Sequence, residues 1–228
     1  MRLRFCAAAL ALLLASGCGS VEKPSSSRAS WSPTLVNKEL SANDDRVEGP
    51  QYQPRPPVLV MTSPPNYFIP KVPAAPPMRG VLDVPLGRKW YYIVIHHSDS
   101  NFGSAAAIDD WHKQRGWLGV GYHFVIGNGN GSPDGLVEAT FRWEKQLHGA
   151  HAGSEPHNEH GIGICLTGDF DREFPTEKQV ASLVALVNHL QSRCGIPASH
   201  ILLHRHIKST RCPGQHFPFY QFVSLLEH

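Results

Sequence analysis

Residues 90–98 read WYYIVIHHS, and this run decides the fold. Trp90 to Ile95 is apolar, aromatic and β-branched without interruption, the pattern of a central strand buried on both faces. It leads directly into His96 and His97. Gly161 to Gly168 (GIGICLTG) is a second buried strand. Tyr122 to Gly127 (YHFVIG) is a third, followed by the turn Asn128 to Gly135 (NGNGSPDG) and a return strand, Leu136 to Thr140. Ile201 to Leu203 is a short strand that delivers His204.

Helices alternate with these strands. Ser104 can cap a helix that runs to about Arg115, where Gly116 stops it. Ala107, Ile108 and Trp111 share one face of it, so Trp111 either packs the helix on the sheet or stacks on a sugar. Thr176 to Cys194 is the strongest helix of the chain. Thr176 and Gln179 make a capping box. Val180, Leu183, Val184, Val187 and Leu190 form its apolar stripe, and Gly195 and Pro197 end it. One more short helix is expected from Pro218 onward. The fold class is α/β: a single domain with a central mixed β-sheet flanked by helices.

The 228 residues do not share one composition. All 14 histidines follow residue 95, whereas 12 of the 19 prolines lie between Cys18 and Gly80. Residues 1–17 read as an export signal: Arg2 and Arg4, then an apolar stretch from Phe5 to Ala15, then small residues before Cys18. That stretch is too short for an ordinary membrane-spanning helix. A small-residue run ending in Cys resembles a bacterial lipoprotein signal, with Cys18 as the lipidation site. An ordinary secretory signal with an incidental Cys18 is the alternative. The expected location is an exported, membrane-anchored lipoprotein facing the periplasm or cell wall, and Gly19 after Cys18 is no inner-membrane retention signal. Residues 18–79 carry Pro56-Pro57, Pro64-Pro65 and Pro76-Pro77, and read as a semi-rigid tether. Residues 80–228 form the folded domain. A net charge of +2 gives no polyelectrolyte signature, so nucleic acid is not an expected partner. A monomer is expected.

His96, His204 and Cys212 carry the strongest chemical signal. Two histidines follow buried strands and Cys212 lies in a Cys-Pro-Gly turn, so the three side chains can meet at one rim of the sheet. Two imidazoles and a thiolate suit zinc, and three protein ligands leave a position for water. Spacing alone makes this weak in a histidine-rich domain.

Seven blocks in order say more: IVIHHS (93–98), WHKQRGW (111–117), GYHFVIG (121–127), GAHAG (149–153), GIGICLTGDF (161–170), LHRH (203–206) and TRCPG (210–214). Together they resemble the zinc-dependent N-acetylmuramoyl-L-alanine amidases, a family that includes phage endolysin amidases and peptidoglycan recognition proteins. The resemblance implies one Zn2+ held by His96, His204 and Cys212. It makes Tyr122 the catalytic tyrosine, and places Thr210 where phage members carry a catalytic Lys and amidase-active recognition proteins carry Thr. It also implies substrate contacts from His151 and Asn158, a peptidoglycan or muropeptide partner, and hydrolysis of the amide between N-acetylmuramic acid and L-alanine. His206 stands where the family usually has Asp, either behind a ligand or as a bystander.

Other chemistries are weaker. Cys212 precedes Pro and Gly and lacks the helix N-terminus that activates a nucleophilic thiol. HExxH is absent, and His157-Asn-Glu-His160 has the wrong spacing. Gly127, Gly129 and Gly131 precede Pro133 and a strand, not the helix of a nucleotide loop. The competing function is a non-catalytic peptidoglycan-binding module of the same fold. Cys165 and Cys194 can form a disulfide or remain buried thiols.

Overall fold

Six strands form one mixed sheet in the order β1-β4-β3-β5-β2-β6. They are β1 (Met78–Arg79), β2 (Tyr92–His97), β3 (Phe124–Ile126), β4 (Val137–Ala139), β5 (Gly161–Leu166) and β6 (Ile201–Leu203). Only β3 and β4 pair antiparallel, across the hairpin; the other four pairings are parallel. The helices are α1 (Ala105–Gln114), α2 (Phe141–Glu144), α3 (Glu155–His160), α4 (Glu177–Cys194), α5 (His204–Ile207) and α6 (Phe219–Ser224). The computed structural model describes residues 71–227. The expected signal, Cys18 and most of the tether lie outside the described residues. Among the described residues, no helix is long and apolar enough to cross a membrane.

The two faces of the sheet differ, and the difference follows from the period-two alternation of strands. On one face Ile93 and Ile95 of β2, Ile162, Ile164 and Leu166 of β5, and Phe124 and Ile126 of β3 are buried in one core with Val180, Leu183, Val184, Val187 and Leu190 of α4. The capping box of α4 forms as the sequence predicts: Gln179 N donates to Thr176 Oγ1 and Thr176 N to Gln179 Oε1. Gly195 ends the helix in the left-handed conformation, φ 68°. On the other face β5 presents Gly161, Gly163 and Cys165, which are small, and β2 presents His96 in register with Cys165. Helix α1 covers only part of this face, through Ile108 against Val125 and Cys165. Low side chains on a central strand leave room above the sheet, and the histidines occupy it.

The expected strands and long helices are present, with strand ends trimmed by a residue or two. Strand β2 extends through His96 and His97 instead of ending at Ile95. Among the described residues five elements are additional: β1, α2, α3, α5 and a short 3-10 turn at Ala198–His200. Strand β1 joins the sheet from residues that precede the expected domain start at residue 80. It pairs with Val137 and Glu138, Val137 N donates to Pro77 O, and Val72 and Met78 pack on the core. Pro76 and Pro77 precede the first paired residue of this edge strand, a position where proline is tolerated. Cys165 and Cys194 are free thiols, packed in the clusters on opposite faces of the sheet, so they cannot pair.

Candidate metal centre

His96 and His204 reach one place because β2 and β6 are parallel neighbours; His96 is the penultimate residue of β2, and His204 opens α5 directly after β6. Cys212 joins them from the turn that α5 leads into. Arg205 holds that turn: its backbone N donates to Cys212 O and its guanidinium to Gly214 O at 2.7 Å. The ring centroids of His96 and His204 are 4.6 Å apart. Cys212 Sγ is 3.7 Å from His96 Nδ1. One nitrogen from each histidine and the sulfur lie within 4.8 Å of one another.

Hydrogen bonds decide which nitrogens offer lone pairs. His204 Nε2 is 3.2 Å from Ala152 O, and a carbonyl only accepts, so Nε2 carries the hydrogen and Nδ1 of the neutral ring is bare. His151 Nε2 faces Gly161 O at 3.2 Å and carries a hydrogen for the same reason. Burial holds the His151 pKa at about 3, so the ring is neutral and its Nδ1 must accept. The donor is His96 Nε2, 3.0 Å away. His96 is itself kept neutral by burial, then by His151 and His204. Its Nδ1 is therefore bare and turned toward Cys212.

The thiol is the third member of the set. Burial raises the Cys212 pKa to about 12, against the small opposing effects of the His97 N–H bond at 3.5 Å and of Arg205. A divalent cation held beside the sulfur would lower that pKa and favour the thiolate. Two imidazole lone pairs and a thiol that ionises only with a cation fit zinc. A second group, His97 with Asp99 and Asp169, is equally compact. It does not fit a metal. His97 lies on the opposite face and its Nδ1 accepts the Phe170 N–H at 3.1 Å, so Nε2 of the neutral ring is protonated. Asp169 is committed to Arg172 and to the Asp171 N–H.

Tyr122 stands beside the ligands, its ring 5.1 Å from that of His96. Its hydroxyl meets the Cys165 thiol, and burial, then the two cysteines, hold its pKa well above the usual phenol range. The backbone around it is pinned at four points. Thr140 Oγ1 donates to Tyr122 O at 2.7 Å, and Arg142 Nε to Val120 O at 2.6 Å. Val120 N donates to Asp109 and Gly121 N to His112 Nδ1. Sequence reasoning missed Thr140, Arg142 and Asp109; a single polar residue in a short helix or turn gives no pattern that marks it as buried.

The other expected residues have the following places. Thr210 is exposed and its hydroxyl accepts the Cys212 N–H at 3.3 Å. His151 and Asn158, expected to touch substrate, are bonded within the protein. His151 is 8% exposed and both ring nitrogens are engaged. Asn158 Oδ1 accepts the N–H groups of His151 and Ala152. His206 Nδ1 accepts the Leu203 N–H at the start of α5, so it serves the backbone. Trp111 packs with the Ile108 cluster, and Trp117 is exposed and rests on His112.

A family model described as N-acetylmuramoyl-L-alanine amidase matches residues 86–215, more than half of the chain. The chain belongs to the N-acetylmuramoyl-L-alanine amidase family. The matched segment of this amidase-family chain contains all three candidate ligands and Tyr122. Peptidoglycan-recognition protein SC2 of Drosophila melanogaster is 34% identical over 133 residues, 54% of this chain and 67% of its own. The endolysin of Escherichia phage T7 is 36% identical over 113 residues, 47% of this chain and 67% of its own. Among solved structures, the endolysin amidase LysCS from Clostridium intestinale superposes with a TM-score of 0.55 at 32% identity, over 66% of this amidase-family chain and 95% of that one. Relatives named as amidases and relatives named as recognition proteins both belong to this circle.

Proposed function

We propose that the chain is a zinc-dependent N-acetylmuramoyl-L-alanine amidase, which hydrolyses the amide between N-acetylmuramic acid and the L-alanine of the stem peptide. The observation that carries this reading is the convergence of His96 Nδ1, His204 Nδ1 and Cys212 Sγ beside the Tyr122 phenol. A binding module has no need of bare lone pairs aimed at one point and held there by Ala152 O behind His204 and by His151 behind His96.

His96, His204 and Cys212 would hold the ion. Zinc in such a set supplies Lewis acidity, which lowers the pKa of water and polarises an amide carbonyl. The protein supplies the rest. Tyr122 remains a protonated phenol and can donate its O–H to the oxygen that gains charge as the carbonyl is attacked. Thr210 uses an oxygen lone pair toward Cys212 N, so its O–H is available to the same region. The reaction breaks the C–N bond, adds the elements of water, and leaves a carboxylate on the lactyl group and a free amine on L-alanine. Cys18 as a lipidated residue would place this activity at a membrane surface, with the Pro-rich segment as spacer.

The deciding experiment uses the full chain with muropeptides, in zinc and in excess chelator. New L-alanine amino termini that vanish with chelator and return with zinc support the reading. Muropeptide binding without cleavage, by protein shown to hold zinc, overturns it in favour of a recognition module. Radiolabelled palmitate incorporation that is lost in Cys18→Ala tests the anchor separately.

A further inference from the structure

We propose that His151 is a positioning residue for the metal centre: it fixes His96 in the Nε2–H tautomer, so that Nδ1 is always the nitrogen presented beside Cys212. The inference rests on the reading of His96, His204 and Cys212 as metal ligands. It assigns His151 a role behind the ligand, in place of the substrate contact expected for it.

The chain of bonds has one direction. Gly161 O accepts from His151 Nε2, and His151 Nδ1 accepts from His96 Nε2. The order is set by a main-chain carbonyl, which has no hydrogen to give. Remove the middle ring and no other hydrogen-bond acceptor among the described residues faces His96 Nε2, so the ring is free to take either tautomer. One of them puts a hydrogen where the cation must bind.

A second observation shows that the place for this ring is built. A Cβ on Gly149 would lie 2.3 Å from His151 Cδ2, and a Cβ on Gly163 would lie 2.5 Å from the same atom. Neither distance is compatible with a side chain. Two segments far apart in sequence, the loop before His151 and the middle of β5, both give up a side chain where this imidazole sits. Asn158 Oδ1 then holds the backbone N–H of His151 at 2.9 Å, which sets the ring's point of attachment. Gly149 of GAHAG and Gly163 of GIGIC thus share a cause. Metal-bound histidines commonly depend on such an outer partner, and its loss typically costs about 10–100-fold in metal affinity.

The test uses the full chain, stripped of metal, as wild type, His151→Leu and His151→Asn. Leu keeps the bulk and removes the acceptor, while Asn restores an acceptor oxygen near the Nδ1 position. Zinc affinity is read by competition with a chromogenic chelator, and the His96 tautomer by 15N imidazole NMR of the metal-free protein. The expected result is Nε2–H on wild-type His96, a tautomer mixture and ~10–100-fold weaker zinc binding in His151→Leu, and recovery of most of that loss in His151→Asn. A purely structural role would lower the melting temperature of both variants and leave the tautomer alone. A folded His151→Leu that binds zinc as tightly as wild type overturns the proposal. If His151→Leu does not fold, the wild-type spectrum decides, because Nδ1–H on His96 is incompatible with it. Wild type that binds no zinc at all overturns the metal-centre reading instead.

Discussion

The Tyr122 phenol is kept protonated by burial, and its backbone is pinned by Thr140, Arg142, Asp109 and His112. Its ring touches no ligand atom through a bond, so removing the oxygen should leave the metal in place. Tyr122→Phe is expected to retain one zinc per chain and a native melting temperature while kcat on muropeptides falls about 10²–10³-fold, the usual cost of one oxyanion donor. Full activity in that variant would remove Tyr122 from the mechanism. Cys212→Ala differs, because two imidazoles remain without a charged ligand; zinc content after dialysis and amidase activity should fall together. Retained activity there would overturn the ligand set. His96, His204 and Cys212 could be singled out because each stands in a block that resembles the family, and the structure brings the three together. The bonding of His151 was not legible. Its partners come from β2, β5 and the turn before it, and only the ring direction reveals that both its nitrogens are spent.

At the scale of elements, the strands and the long helices were readable because each carries its own period. Helix α4 has a full stripe and a two-way cap; β5 has an unbroken buried run. The short helices α2, α3 and α5 span only four to six residues and offer no periodicity to detect. Helix α4 packs on the face of the sheet away from the candidate ligands, so its start matters to stability rather than to chemistry. Thr176 Oγ1 accepts the Gln179 N–H and also donates to Asp134 Oδ1 in the hairpin turn at 2.5 Å. Thr176→Ala loses both bonds and should destabilise the domain by about 1–2 kcal/mol. Chemical denaturation should show a lower midpoint with zinc affinity unchanged. A loss of zinc affinity in this variant would mean that the two faces of the sheet are coupled, contrary to their separate packing.

For the whole molecule, Pro76 and Pro77 lead into the edge strand β1, which composition concealed because prolines next to an edge strand look like prolines in a linker. A chain that begins at Gly80 lacks β1, the Pro77 bond to Val137, and the packing of Val72 and Met78. It should unfold roughly 2–4 kcal/mol more readily than one that begins at Lys71, and equal denaturation midpoints would show that β1 contributes nothing. The buried histidines set a second global property. His96, His123 and His151 are all held neutral, chiefly by burial, with pKa values below the usual 6.5. Unfolding releases them to that value, so below it the unfolded chain binds more protons than the folded one. Stability is therefore complete above about pH 6.5 and declines as pH falls toward the folded values, about 3 for His151. The slope approaches about 1.4 kcal/mol per pH unit for each histidine still neutral in the fold. Between pH 7 and 5 most carboxylates stay ionised, which isolates the histidine contribution. Melting of the metal-free domain across that interval should show a continuous fall in midpoint, and a flat profile would mean that these imidazoles gain protons without unfolding. With zinc bound the fall should start from a higher stability and run more steeply, because protonation of His96 must also expel the metal.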